Sequence, residues 1–154
     1  MAKAIVIYES KYGNTKLAAE TIGEQINQVS GMEAVITEVS KVDLNQIDGF
    51  DTILVGSPNH IGRATRSIRK FIDKLGKLSL EGKQGAVFDT YLGRDFEKAV
   101  KKMEKQILEK VPTLKIMSPG LSIKVQGIKG PIVEGDIPKC KEFGNKVANK
   151  MKTL

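Results

Sequence analysis

The chain has 154 residues and one cysteine, 28% of its residues are charged, and its formal net charge is +7. This length suits one domain with a well-buried core. A single cysteine excludes a disulfide framework. One cysteine and one histidine are also too few for a zinc site of the usual nitrogen and sulfur ligands. The sequence contains no apolar run of about 20 residues and no signal-peptide pattern, so we expect a cytoplasmic protein without a membrane segment.

Apolar runs alternate with amphipathic helical patterns along the whole chain. Predicted strands lie at Lys3–Glu9, Glu33–Val39, Asp51–Ser57, Gly82–Asp89 and Leu121–Val125. Predicted helices lie at Asn14–Val29, Thr65–Leu75, Asp95–Lys110 and Ile137–Lys152. We find no internal repeat, linker or low-complexity segment.

This alternation favours an α/β fold with a parallel sheet. Runs such as Ile5-Val6-Ile7 and Ile53-Leu54-Val55 are apolar at successive positions, which is typical of strands covered on both faces. Strand–helix–strand units then make right-handed crossovers. Because such sheets bind ligands beyond the carboxyl ends of their strands, the loops after the first, third and fourth strands are the candidate site.

The loop after the first strand has the features of a phosphate site. An apolar strand ends at Tyr8, a short polar loop containing Gly13 follows, and a helical pattern starts at Asn14. Amides at a helix N-terminus lack helical partners and attract anions, and the hydroxyls of Ser10 and Thr15 can donate to the same group. The alternative is an ordinary strand-to-helix turn, with Asn14 as the cap.

Tyr8-Glu9-Ser10-Lys11-Tyr12-Gly13-Asn14-Thr15 resembles the FMN-phosphate loop of flavodoxins, in which an aromatic residue precedes a Ser/Thr-x-Ser/Thr-Gly-x-Thr loop. Tyr12 stands where that family usually has a second hydroxyl-bearing threonine, and Lys11 adds a cation. The resemblance implies a flavodoxin-like, three-layer, doubly wound five-stranded parallel sheet of strand order 2-1-3-4-5. It also implies that FMN is the cofactor, with its phosphate held by Ser10, Lys11, Tyr12, Gly13, Asn14 and Thr15.

The loop after the third strand, Gly56-Ser57-Pro58-Asn59-His60-Ile61-Gly62-Arg63-Ala64, extends the resemblance. In flavodoxins this loop crosses the N5 edge of the isoalloxazine ring, and a glycine makes a peptide flip inexpensive. Gly62 is the matching glycine, and Ile61-Gly62 is the predicted flipping peptide. The resemblance assigns to the cofactor Ser57, Pro58, Asn59, His60, Ile61 and Gly62. The alternative is a turn with an exposed His60.

The loop after the fourth strand supplies the predicted aromatic contact. Flavodoxins have a tyrosine here that stacks on the outer face of the flavin, and Tyr91 is the matching position. The resemblance adds Asp89, Thr90, Gly93 and Arg94 as neighbours of the flavin; Asp89 replaces a small residue, and Arg94 is an unusual cation. The alternative for Tyr91 is an ordinary exposed loop aromatic.

The closing segment Cys140-Lys141-Glu142-Phe143-Gly144 resembles the last helix of short-chain flavodoxins. We therefore expect Cys140 to belong to the core and not to act as a nucleophile. The resemblance extends over nearly the whole chain, so we predict a single domain over residues 1–154.

The resemblance implies a short-chain flavodoxin, an FMN-binding, low-potential carrier of single electrons between redox enzymes, and not itself an enzyme. An FMN-dependent NAD(P)H quinone or protoporphyrinogen reductase on the same fold is the alternative. A flavin-free, flavodoxin-like regulatory domain is a second alternative.

The charge of +7 points to an acidic partner, because flavodoxins are typically acidic and dock on basic reductases, whereas this chain is basic. We expect an acidic ferredoxin or oxidoreductase as partner. Nucleic-acid binding is not expected, since 5% aromatic residues with no tryptophan leave few platforms for base stacking. The sequence does not indicate the oligomeric state.

Overall fold

The structure is a computed structural model, and it describes residues 1–153. Its strands are β1 (Ala2–Tyr8), β2 (Met32–Glu38), β3 (Thr52–Pro58), β4 (Gln84–Tyr91), β5 (Lys115–Ile116) and β6 (Leu121–Lys124). Its α-helices are α1 (Asn14–Asn27), α2 (Arg66–Leu75), α3 (Lys98–Lys110) and α4 (Ile137–Met151).

The predicted sheet is confirmed, with strand order β2-β1-β3-β4-β5 and every pairing between these strands parallel. The fifth position differs from the prediction in one respect. It is filled by two short segments, because β5 and β6 both pair with β4, at opposite ends of that strand. Leu121–Val125 corresponds to β6, and the two-residue β5 is too short to produce a periodic pattern.

The sheet separates two hydrophobic cores. Ala4 and Val6 face the core that contains α1 and α4, while Ile5 and Ile7 face the core that contains α2 and α3. Both sets are buried, which explains why β1 reads as a continuous apolar run.

The second and third helices begin later than predicted, and the residues just before each helix explain why. Thr65 precedes α2 as its cap, and its hydroxyl accepts a hydrogen bond from the Ile68 amide. The third helix begins at Lys98 and not at Asp95, because Glu97 has a left-handed backbone with φ 62° that a helix cannot continue.

Cys140 lies in the core between α4 and the sheet, as predicted. Burial raises the pKa of its thiol to about 12, so the reactive thiolate is not formed at neutral pH. In residues 1–153, no helix has both the length and the apolar character needed to cross a membrane.

Candidate functional site

The carboxyl ends of β1, β3 and β4 converge on a cavity of about 520 Å³. This is the point where the order of the strands reverses, at which parallel α/β sheets place their ligands. The lining residues come from four chain segments: Glu9, Ser10, Lys11, Tyr12, Asn14, Thr15, Pro58, Asn59, His60, Thr65, Thr90, Tyr91, Leu92, Val125 and Ile128.

The loop between β1 and α1 presents backbone amides to the cavity. Gly13 precedes the helix with φ 93°, and its amide donates to the Ser10 hydroxyl at 3.0 Å. The first amide bonded back into the helix is that of Leu17, which donates to the Gly13 carbonyl at 3.0 Å. The amides of Asn14, Thr15 and the residue after them are therefore left without an intrahelical acceptor. The first turn of α1 also has no acidic residue, so this end of the cavity attracts an anion.

Two buried hydroxyls connect this loop to the next part of the site. Thr15 and Thr90 share a hydrogen bond of 2.8 Å between their Oγ1 atoms, at the join of α1 and β4. Hydroxyls can exchange donor and acceptor roles, so the pair can also donate to a bound anion.

The loop after β3 forms a tight two-residue turn. The His60 amide donates to the Arg63 carbonyl at 2.7 Å, and the Arg63 amide donates to the His60 carbonyl at 3.3 Å. Both central residues have positive φ, 55° at Ile61 and 78° at Gly62, which defines a type I′ turn. The Gly62 amide also donates to the Asn59 side-chain oxygen at 2.9 Å. His60 and Asn59 line the cavity, and Ile61 and Gly62 at the tip of the turn lie next to these lining residues in the chain.

Tyr91 forms the aromatic wall of the cavity. Its ring meets the ring of Phe96 edge to face, with centroids 5.5 Å apart. Burial, together with the negative charge of Asp136, raises the pKa of the Tyr91 phenol, so the phenol stays protonated at neutral pH. The Tyr91 carbonyl accepts from the Val125 amide, which brings the loop after β6 to the cavity.

Asp89 lies near the carboxyl end of β4. It is fully buried on the α3 side of β4 and does not line the cavity. Its carboxylate accepts from the Ser122 hydroxyl at 2.6 Å and from the Val100 amide at 3.0 Å. Burial outweighs these bonds and raises the pKa of Asp89 to about 6. The Asp89 side chain joins β4, β6 and α3, and its predicted place beside a cofactor stays a prediction.

Among the other predicted site residues, the cavity brings together Ser10, Lys11, Tyr12, Asn14, Thr15, Pro58, Asn59, His60, Thr90 and Tyr91. Those that do not line it are Gly13, Ser57, Ile61, Gly62, Gly93 and Arg94. Gly13 and Gly62 shape their loops through backbone conformation. Ser57 is buried, and its hydroxyl accepts from the Thr65 amide at 2.9 Å.

The lining residues that sequence reasoning missed are Glu9, Thr65, Leu92, Val125 and Ile128. Glu9 and Leu92 are adjacent to predicted positions. The Glu9 carboxylate accepts a short hydrogen bond from the Thr65 hydroxyl, which ties the first loop to the start of α2. Val125 and Ile128 belong to the loop after β6, which is closed by a bridge between Val125 and Ile132. No local motif marks this last loop.

Comparison with known proteins agrees with this geometry. The sequence model of the Flavodoxin domain family matches residues 5–124. A flavodoxin from Clostridium saccharobutylicum is 30% identical over 88 residues, which cover 57% of this chain and 55% of that protein. The chain spans about half the length of the curated relatives it matches.

Two solved structures match over almost the full length of the chain. A flavodoxin from the domain Archaea is 30% identical, with a TM-score of 0.83, over 97% of this chain and 99% of that one. Oxidised Flavodoxin 2 from Bacillus cereus is 28% identical, with a TM-score of 0.82 and the same two coverages. The family match extends over most of the chain and includes the loops after β1, β3 and β4 that line the cavity, so this chain belongs to the flavodoxin family.

Proposed function

We propose that this protein binds FMN in the cavity and carries single electrons between redox proteins. The observation that supports this most directly is the Thr15–Thr90 hydroxyl pair, which joins an anion-attracting helix terminus to the strand that ends in Tyr91. Proteins of the flavodoxin family bind FMN, a flavin with one phosphate.

The residues present fit the phosphate of FMN. The amides at the start of α1 have no intrahelical acceptors, the Ser10, Thr15 and Thr90 hydroxyls lie at the same end of the cavity, and Lys11 supplies a positive charge. Glu9 is the one carboxylate that lines the cavity, and its hydrogen bond to Thr65 turns it toward α2. A dianionic phosphate is therefore stabilised at the α1 end.

The residues at the other end fit the flavin ring. Tyr91 supplies an aromatic surface, and an aromatic pair of this kind contributes about 0.5–1.5 kcal/mol beyond the area it buries. Pro58, Leu92 and Ile128 add apolar surface and keep water from the ring. We assign the Ile61-Gly62 peptide to the N5 edge of the ring, as the resemblance implies. When bound, the flavin supplies the redox chemistry.

The charge at the cavity mouth supports an acidic partner. Each of the four loops that contribute to the cavity carries an exposed cation: Lys11, Arg63, Arg94 and Lys129. Opposite charge speeds diffusional encounter and orients the two proteins, most strongly at low salt. We infer that the protein exchanges electrons with an acidic ferredoxin or an acidic oxidoreductase.

The proposal is tested by titrating flavin-free protein with FMN and following flavin fluorescence. We expect quenching that saturates at one equivalent, and a much weaker response to riboflavin, because riboflavin lacks the phosphate. Equal affinity for both flavins would contradict the assignment of the α1 terminus as the phosphate site, and no quenching by either would overturn the proposed function.

A redox titration of the loaded protein separates a carrier from the reductase alternative. We expect two resolved one-electron potentials and no oxidation of NADH or NADPH in the presence of a quinone. A single two-electron step together with rapid quinone-dependent oxidation of NADPH would favour an FMN-dependent reductase instead.

A further inference from the structure

The exposed apolar side chains around the cavity mouth fall into two groups. Tyr12, Leu92 and Ile128 line the cavity, so a ligand bound there covers them. Ile61 and Phe96 do not line it, and they are 87% and 56% exposed. A bound cofactor accounts for the exposure of the first group. The side chains of the second group need a different explanation, even with the Ile61-Gly62 peptide at the edge of the flavin.

Ile61 is exposed in a conformation that disfavours it. A β-branched residue at φ 55° is an outlier that costs on the order of 1–3 kcal/mol, and position i+1 of a type I′ turn normally holds asparagine, aspartate or glycine. The chain therefore presents an apolar side chain at the tip of this turn at a cost in stability. Strained residues of this kind occur mainly at functional sites.

Unpaired cations lie beside the same turn. A Cβ atom on Gly62 would sit 3.7 Å from the Lys102 ammonium and 3.8 Å from the Lys98 side chain, so both lysines of α3 reach the turn. Arg63, the residue after Gly62, adds a third cation at the same turn. Within residues 1–153, neither Arg63 nor Lys102 forms an ion pair.

The nearby acidic residues do not cancel this charge. Asp95 pairs with Lys98 at 3.1 Å, and Glu97 pairs with Lys101 at 3.7 Å. The Asn59 side-chain amide donates to the Asp95 carbonyl at 3.4 Å, which holds the loop that carries Phe96 against the loop that carries the turn. The result is one surface, the Ile61 flank, formed by Ile61, Arg63, Phe96, Lys98 and Lys102.

We propose that the Ile61 flank is the docking surface for an acidic redox protein that has a small apolar patch within a ring of carboxylates. The proposal rests on the proposed function for the nature of the partner. Ile61 and Phe96 enter the apolar patch, and Arg63 and Lys102 meet the surrounding carboxylates. An apolar centre with a charged rim is the usual arrangement of a protein interface.

The other exposed apolar residues do not offer such a surface. Leu17, Val35 and Leu108 lie on different helices and strands, and single exposed apolar residues are normal on protein surfaces. The flank differs from them because it combines apolar exposure, backbone strain and unpaired positive charge next to the cavity.

The test measures binding of an oxidised, acidic [4Fe–4S] ferredoxin by isothermal titration calorimetry at several salt concentrations. The charge variant Arg63→Gln/Lys102→Gln is compared with Lys141→Gln/Lys146→Gln, which removes two exposed charges from α4. We expect the flank variant to weaken binding about tenfold at low salt and to reduce the salt dependence, and the α4 variant to change affinity less than twofold. Equal effects of the two variants would overturn the proposal.

Ile61→Asn tests the apolar contact without disturbing the turn, because asparagine tolerates positive φ. We expect it to fold at least as stably as the parent protein and to bind the ferredoxin about fivefold more weakly. Unchanged ferredoxin affinity would exclude Ile61 from the interface.

The same titrations on flavin-free protein distinguish this proposal from the proposed function. If flavin-free protein binds the ferredoxin and the flank variant does not, the docking surface is supported. This result would hold even if the protein did not bind FMN. A basic haem protein, cytochrome c, is the reverse-charge probe. It should bind the flank variant more tightly than the parent protein, and tighter binding to the parent would contradict the charge argument.

Discussion

Thr15 at the start of α1 and Thr90 near the end of β4 are joined by a 2.8 Å hydrogen bond between their hydroxyls, across 75 residues of sequence. This bond holds the loop that attracts the phosphate against the strand that carries Tyr91.

Thr15→Val is expected to weaken FMN binding about ten- to a hundredfold, because it removes a hydroxyl donor to a charged phosphate. Riboflavin affinity should change less than twofold. The matched control is Thr21→Val on the same helix, since the Thr21 hydroxyl donates to the Leu17 carbonyl and does not line the cavity. Fluorescence titrations with both flavins provide the measurement. An equal loss for FMN and riboflavin would show that Thr15 acts through packing alone.

Asp89 is expected to make the stability of the fold depend on pH. Its folded pKa of about 6 lies above the ordinary value of 3.8, so the folded state holds the proton to higher pH than the unfolded state does. Its stabilising contribution is complete below about pH 4 and is lost as pH rises through about 6. The rise in pKa corresponds to about 3 kcal/mol.

Asp89→Asn should remove this part of the pH dependence, because asparagine does not ionise. Urea unfolding of the parent protein and the variant between pH 4 and 8 measures the difference. We expect the free energy of unfolding of the parent to fall relative to the variant by up to about 3 kcal/mol across this range. Parallel pH profiles would mean that Asp89 is already ionised at pH 4.

The position of Asp89 was predictable from strand alternation. Val87 faces the core beneath α2 and α3, so the side chain two residues later faces α3 as well. The family resemblance included Asp89 among the neighbours of the flavin and did not specify the face on which its side chain lies. Alternation along the strand is the better guide to which face a strand-end side chain occupies.

Other parts of the site depend on long-range contacts that a sequence pattern does not contain. The phosphate loop was predictable, because strand, glycine and helix start are all local. The loop after β6 was not, since Ile128 reaches the cavity only through the pairing of Val125 with Ile132 and the packing of Gly130 against Asn14. The type of the turn at Ile61 was also not predicted, because a type I′ turn is normally recognised by Asn-Gly or Asp-Gly and not by Ile-Gly.

Substitution of Gly62 tests whether the Ile61-Gly62 peptide lies at the N5 edge of the flavin. Its φ of 78° is unfavourable for any residue with a Cβ, yet the space around it would accept a methyl group at ordinary van der Waals distances. Gly62→Ala should therefore cost about 1 kcal/mol through backbone conformation alone. Gly31→Ala is the matched control, because Gly31 has φ 82° with open space around it and lies in the turn before β2. Both variants should lose similar stability in urea, but only Gly62→Ala should change the separation between the two one-electron potentials of the FMN-loaded protein. An equal change in both variants, or none in Gly62→Ala, would remove the Ile61-Gly62 peptide from the N5 edge of the flavin.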